Sequence, residues 1–209
     1  MATDFDARAA DWDADPTKVE RAQAVAEAIR RTVPLDGTQR LLEYGAGTGL
    51  VTQHLGDAVG AVTLADTSAG MRTVMHDKIA AGQLPATARV WDLDLASQPP
   101  PDEEFDLVVT VKALHHIPDV APVLEAFAAL LVDGGRLCVV DLEQEDGAFH
   151  GHDPEFEGHH GFARDDLADQ LEAAGFAAPR FERCHDMVKD DGVFPLFLAT
   201  CRRDGGRTA

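Results

Sequence analysis

The sequence predicts an α/β fold: a doubly wound, Rossmann-like sheet in three α/β/α layers, mostly parallel, with an antiparallel C-terminal hairpin strand. Three observations carry this reading. From about residue 40, apolar strand-like runs alternate with helical patterns, the signature of a parallel sheet flanked by helices. Val108-Val109-Thr110-Val111 and Leu137-Cys138-Val139-Val140 are apolar at nearly every position, as strands covered on both faces must be. Leu41-Leu42-Glu43-Tyr44 runs straight into Gly45-Ala46-Gly47-Thr48-Gly49, which reads as a buried strand, a tight turn and a helix start.

The elements follow in order. Lys18–Thr32 carries a helical pattern ahead of the first strand, Arg40–Tyr44. Further strands are expected at Ala61–Ala65, Ala88–Trp91, Leu107–Val111 and Arg136–Asp141, with helices at Ala69–Ala80 and Val120–Leu131. Asp133-Gly134-Gly135 is expected to close the second of these helices before the fifth strand. Glu143–Phe162 is polar, His-rich and irregular. A helix, Arg164–Ala174, follows and ends at Gly175. Runs around Pro179–His185 and Val193–Cys201, separated by Asp190-Asp191-Gly192, have the turn chemistry of an antiparallel hairpin.

Composition narrows the function classes. A chain of 209 residues is enough for one well-cored domain. The net charge of −19 opposes binding to nucleic acid or to an anionic membrane, both of which want a basic patch. No apolar run approaches the roughly 20 residues of a membrane span, and the acidic start lacks the basic-then-apolar pattern of a signal peptide. Cys138, Cys184 and Cys201 are too few and too scattered for a disulfide framework or zinc spacing. The expectation is a reduced, cytoplasmic protein, monomeric or homodimeric, that acts on a small molecule.

Ligands of open parallel sheets bind outside the carboxyl ends of the strands. The residues at those ends are Glu43 with the glycine loop, Asp66, Asp92 and Asp94, Lys112 through His116, and Asp141. Acids at the first three ends suit a nucleoside with a positive tail. The glycine spacing is not the G-x-G-x-x-G of dinucleotide folds, because the third glycine comes one residue early.

Together these motifs resemble the class I S-adenosylmethionine-dependent methyltransferases. Glu43-Tyr44-Gly45-Ala46-Gly47-Thr48-Gly49 looks like the first motif, E/D-x-G-x-G-x-G, and Asp66 like the acid that ends strand two. Asp94-Leu95 looks like the acid-apolar pair that holds adenine. Phe105-Asp106-Leu107-Val108-Val109 resembles the start of strand four, Leu114-His115-His116-Ile117 the L-H-H-I/V that often follows, and Leu130 through Gly135 the L-L-K-P-G-G turn. Val132 and Asp133 replace the Lys and Pro of that last motif.

The resemblance implies S-adenosyl-L-methionine as cofactor and a single methyltransferase domain over 1–209. Within it, 1–37 would form a helical lid carrying Phe5, Arg8, Trp12 and Asp13, 38–142 the cofactor-binding core, 143–163 an acceptor-side loop, and 164–201 the last helix and hairpin. It assigns the cofactor to Glu43, Gly45, Ala46, Gly47, Asp66, Thr67, Met71, Asp94, Leu95 and Lys112. The chemistry agrees. Two ribose hydroxyls are donors that the Asp66 carboxylate can accept together; the competing role for Asp66 is a helix N-cap, with Thr67 and Ser68 as rivals. Glu43 would meet the cofactor's amino group, or else be a buried acid paired within the fold. Asp94 is preferred over Asp92 for the exocyclic amine. Met71 and Leu95 would sandwich the base or be plain core.

Methyl transfer from a sulfonium chiefly requires positioning of the acceptor and exclusion of water. A base is needed where the acceptor must lose a proton. His115 and His116 are the candidate catalytic residues: whichever serves as base makes activity rise with pH through a pKa near about 6.5, and either could instead contact the cofactor's methionine end or brace the loop. Trp12, His159 and His160 are the candidate acceptor-binding residues. The segment from Phe149 to Phe162 could be the acceptor cover, a solvated loop or a metal site, although its histidines lack standard zinc spacing, so no metal is assigned. A nicotinamide dehydrogenase is disfavoured by the glycine spacing and by the lack of a Tyr-x-x-x-Lys pair, since Tyr44 is the one tyrosine. A metal-dependent catechol-type O-methyltransferase would want carboxylates where Lys112 stands. The remaining alternative is a non-catalytic protein that binds the cofactor or a metal on the same scaffold.

Overall fold

A computed structural model describes residues 2–189 and 192–205, with side chains from residue 5 onward. The described residues form seven strands, mostly parallel with one antiparallel hairpin, in the Rossmann-like α/β class that the alternation predicts. It divides into two compact units, Met1–Asp94 and Leu95–Ala209.

The first unit contains α1 (Ala2–Arg8), a 3-10 turn at Ala9–Ala14, α2 (Pro16–Thr32), β1 (Leu41–Tyr44), α3 (Leu50–Leu55), β2 (Val62–Ala65), α4 (Ala69–Ala80) and β3 (Arg89–Trp91). The proline at the first position of α2 lacks an N–H that the helix could not have used there. Asp15 caps this helix by accepting the Thr17 N–H at 3.0 Å and its Oγ at 2.7 Å. Ala22, Val25, Ala26 and Ile29 recur at helical spacing and are buried. β2 pairs in parallel with both β1 and β3. Every residue of β1 and β2 is buried, including Glu43 and Thr63. The N-terminal stretch holds more structure than the sequence announced: α1 and the 3-10 turn precede the expected helix.

The second unit contains β4 (Phe105–Val111), a 3-10 turn at Leu114–His116, α5 (Ala121–Leu130), β5 (Leu131–Leu142), a 3-10 turn at Ala148–His150, α6 (Arg164–Ala173), β6 (Phe176–Lys189) and β7 (Gly192–Arg203). Its strands lie in the order β4-β5-β7-β6. β4 and β5 are parallel, and β7 is antiparallel to β5 and to β6. Val108, Val109, Leu137, Cys138, Val139 and Val140 have no solvent exposure, as the continuous apolar runs require. Fully burying each such side chain contributes about 1.5–3 kcal/mol.

One expectation is corrected here. Asp133-Gly134-Gly135 does not close a helix. α5 ends at Leu130, and Leu131 is already paired with Phe105. The pairing then jumps to Leu107 with Arg136, so the glycine turn is a bulge within β5. Gly134 takes φ +75°, and a Cβ on Gly135 would lie 2.8 Å from the Val132 carbonyl oxygen. The glycines serve the bulge rather than a helix end. The expected Asp190-Asp191 turn lies outside the described residues; the strands on either side pair up to Lys189 with Gly192. Among the described residues, no helix is long and apolar enough to cross a membrane.

Candidate functional site

The first unit builds a loop clamped by an acid. After β1 the chain turns through Gly45, Gly47 and Gly49, all at positive φ (68°, 58° and 76°), where glycine carries no steric penalty. The Ala46 N–H donates to the Ala65 carbonyl at 3.0 Å, tying the loop to the end of β2. Asp66 follows β2. One of its carboxylate oxygens accepts the Gly47 N–H at 2.7 Å and the other accepts the Ser68 N–H at 2.9 Å. Burial pushes the Asp66 carboxyl above its usual range, and these two N–H donors oppose that shift. Ser68, not Asp66, is the N-cap of α4, accepting the Met71 N–H at 3.1 Å.

Glu43 is 2% exposed. One of its carboxylate oxygens accepts both the Thr52 N–H at 3.1 Å and the Thr52 Oγ–H at 2.5 Å, so the acid ties β1 to α3. Burial raises its pKa to about 7, against the pull of the Thr52 bonds and the Lys78 charge.

The N-terminal segment docks on the same unit through carboxylates. Asp6 accepts the Ser68 hydroxyl at 2.5 Å and the Gly70 N–H at 2.8 Å. Asp13 accepts the Thr48 hydroxyl at 2.5 Å and pairs at 2.7 Å with Lys78, whose side chain is 6% exposed. Trp12 is half-buried, with the Lys18 ammonium 3.9 Å from its ring centroid and Phe5 edge-on at 5.9 Å.

The cofactor that the resemblance implies can be tested against this donor set. A carboxylate offers about four lone-pair positions. Asp66 uses two of them, which leaves acceptors for two ribose hydroxyls. A Cβ added at Gly47 would meet nothing within 4 Å, so the loop borders open space. Asp94 is half-buried, whereas Asp92 is exposed and paired with Arg72 at 2.9 Å. These features fit an adenosyl group. Met71 is 1% exposed and stands in the core of the first unit. Thr67 is exposed. Leu95, the first residue of the second unit, is 3% exposed and borders a groove with Pro100, Pro122 and Ala126.

The second unit gathers histidines and aromatics. His115 is fully buried, and its Nδ1 lies 2.6 Å from an Asp141 carboxylate oxygen. Asp141, also fully buried, further accepts the His115 N–H at 3.2 Å and the Leu142 N–H at 2.8 Å. Burial would raise the Asp141 carboxyl, but the charge and hydrogen bond of His115 hold it below the usual carboxylate range. His116 is tilted against His115 with ring centroids 4.0 Å apart. Burial, with the charges of His115 and Lys112, pushes its pKa down to about 3. That is below the value of about 6.5 expected for whichever of the pair serves as base. Burial likewise lowers His150 to about 4. Lys112 takes φ 55°, an uncommon backbone for a side-chain-bearing residue, and its ammonium lies 4.3 Å over the Phe149 ring.

The two candidate acceptor histidines part company. His160 lies 3.6 Å from Glu145 and near the His150 ring. The His159 ring lies against Phe162, while its N–H donates to the His115 carbonyl at 2.7 Å. Sequence reasoning gave His150, which sits between both groups, no role beyond its place in the Phe149–Phe162 segment, and Asp141 none beyond its strand-end position. The signals existed: Asp141 ends an all-apolar strand, and His150 opens the densest histidine stretch of the chain.

Comparison with known proteins bears on the reading. A methyltransferase-domain family profile matches residues 18–178. An uncharacterized methyltransferase of Schizosaccharomyces pombe is 36% identical over 118 residues, covering 54% of this chain and 42% of its own length. The ubiquinone biosynthesis O-methyltransferase of Xylella fastidiosa is 33% identical over 123 residues, covering 58% and 48% respectively. The chain thus spans about half the length of the curated relatives it matches. Among solved structures, phosphoethanolamine N-methyltransferase 2 of Haemonchus contortus, in complex with S-adenosyl-L-methionine, superposes with a TM-score of 0.72 at 14% identity, over 86% of this chain and 52% of that one. With the profile covering most of its length and the motif residues where that profile runs, the chain belongs to the class I S-adenosylmethionine-dependent methyltransferases.

Proposed function

We propose that the protein binds S-adenosyl-L-methionine in its first unit and methylates a small-molecule acceptor. The observation that carries the reading is the Asp66 clamp on the glycine loop, which retains two acceptor positions for ribose hydroxyls next to open space at Gly47. In this reading Asp66 holds the ribose and Asp94 the adenine amine, while Glu43 neutralises the amino group. A positive amino group beside Glu43 would draw off the proton that burial favours. When bound, the cofactor supplies an activated sulfonium methyl carbon. Asp6 and Asp13 secure the N-terminal segment that limits water.

The acceptor side belongs to the second unit. Its buried aromatic and imidazole groups suit an acceptor with an apolar body and one polar heteroatom. His116 and His150 are neutral at physiological pH and orient such a group by hydrogen bonding; neither is matched to act as a base near neutrality. The charge of −19 weighs against a nucleic-acid acceptor.

The test is turnover. Purified protein is incubated with labelled S-adenosylmethionine and a panel of phenols, thiols, amines and carboxylic acids, with S-adenosylhomocysteine release as the readout. Release dependent on a small acceptor supports the proposal. Cofactor binding without release for any acceptor would favour a non-catalytic cofactor-binding protein.

A further inference from the structure

We propose that His115, His116 and His150 form a binding site for a single divalent transition-metal ion, with Asp141 orienting the first ligand. One ring nitrogen from each histidine lies within 4.8 Å of the others. Ring centroids are 4.0 Å apart for His115 and His116, 5.4 Å for His115 and His150, and 5.8 Å for His116 and His150. Zinc–nitrogen bonds of about 2.0–2.1 Å in tetrahedral array set the nitrogens roughly 3.3–3.4 Å apart. Small side-chain rotations close that difference.

Three features separate this cluster from a chance meeting of histidines. His115 already has the partner that metal-bound histidines use, a carboxylate on the far ring nitrogen. That bond leaves Nε2 as the ligand atom, and Nε2 is buried with no hydrogen-bond partner. His150 Nδ1 is buried and unpartnered as well. A buried polar atom left unsatisfied is costly, so an ion there would remove a standing penalty. Imidazole ligands favour zinc, iron, nickel or copper over magnesium or calcium.

The Lys112 and Lys189 ammonium groups lie 4.3 and 5.2 Å from the Phe149 ring centroid and oppose a cation, while the ionised Asp141 favours it. Glu145, His150 and His160 form a second convergent group that shares His150. There Glu145 Oε2 accepts the Phe149 N–H at 2.9 Å and Oε1 lies 3.6 Å from the His160 ring; the three-histidine arrangement is preferred because its first ligand is already oriented by the buried Asp141 carboxylate. The proposal shares His116 and His150 with the acceptor side of the methyl-transfer reading, and the test distinguishes the two because metal is read on the second unit and S-adenosylhomocysteine binding on the first.

Tag-free protein is stripped with chelator and titrated with Zn²⁺ and Co²⁺. The metal is followed by calorimetry, elemental analysis after desalting and the visible Co²⁺ spectrum, and S-adenosylhomocysteine binding is measured on each variant. The expected result is one equivalent of metal with a tetrahedral-type Co²⁺ spectrum. His116→Ala and His150→Ala lose at least tenfold in metal affinity. Asp141→Asn loses about 10–100-fold by disorienting His115, with the Co²⁺ band shifted. His160→Ala stays within about threefold of wild type. Where a variant fails to bind S-adenosylhomocysteine and has lost its fold, His116→Gln and His150→Gln replace it. No retained metal at micromolar concentration overturns the proposal. So does a loss of affinity in His160→Ala with none in His116→Ala.

Discussion

The Asp66 carboxylate accepts the Gly47 N–H at 2.7 Å, locking the turn after the first strand to the end of the second. The bond joins the two sequence features that most strongly suggested a nucleoside site. It also fixes which loop conformation a ligand meets. Asp66→Ala should therefore weaken S-adenosylhomocysteine binding by about 1.5–3 kcal/mol, the cost of losing a charge-assisted hydrogen bond. The thermal midpoint should move little, because Asp66 is not part of the apolar core. Isothermal calorimetry and thermal melts on the same preparation check both halves; unchanged affinity would remove Asp66 from the site.

Glu43 links pH to stability. Its folded pKa is raised from 4.5 to about 7 by burial. Between those values the folded chain binds more protons than the unfolded chain, so stability falls as pH rises. Below about 4.5 the acid is neutral in both states, and above about 7 the full cost of a buried anion is present. Against Glu43→Gln, the wild type should lose on the order of 3 kcal/mol of stability across that window. Urea melts at pH 5 and pH 8 measure it, and parallel curves for the two proteins would contradict it.

Asp13 and Lys78 tether the N-terminal segment through a largely buried pair at 2.7 Å. Removing one partner strands the other: Asp13→Ala leaves the Lys78 ammonium in place without its carboxylate. The expected cost is about 1–3 kcal/mol, below the range for a fully buried pair because Asp13 is partly exposed. Limited proteolysis should cut the variant ahead of α2 faster than the wild type. Equal cleavage rates would mean that the pair does not hold the segment.

His116 should not govern a pH–rate profile near neutrality. Burial and the neighbouring charges hold it near 3. His116→Gln should lower turnover or raise the acceptor's KM while leaving the shape of the kcat profile from pH 6 to 8 unchanged. If the substitution abolishes a limb with a midpoint near 6.5, His116 is the base after all.

The sequence revealed the alternation, the glycine loop and the strand-end acids, because each rests on local chemistry: apolar period, backbone freedom and a carboxylate at a fixed offset. Asp94 over Asp92 could be argued from spacing alone, whereas the surface pairing of Asp92 with Arg72 is visible only in the fold. What stayed hidden was tertiary. Asp133-Gly134-Gly135 has the chemistry of a helix end and of a bulge alike, and strand pairing decided for the bulge. The docking of Asp6 on Ser68, 62 residues apart, leaves no local mark. Nor does the meeting of His150 with His115 and His116, since the intervening strand and turn are what fold it back. The depressed pKa of His116 follows from that same enclosure.

The central claim is that the first unit is an adenosyl-binding cradle. Calorimetric titration of the purified protein with S-adenosylhomocysteine, with NAD as the competitor class, tests it most directly. The account predicts one site per chain for S-adenosylhomocysteine, weakened at least tenfold by Asp66→Ala, and no heat with NAD. Binding of NAD, with none for S-adenosylhomocysteine or S-adenosylmethionine, would contradict it.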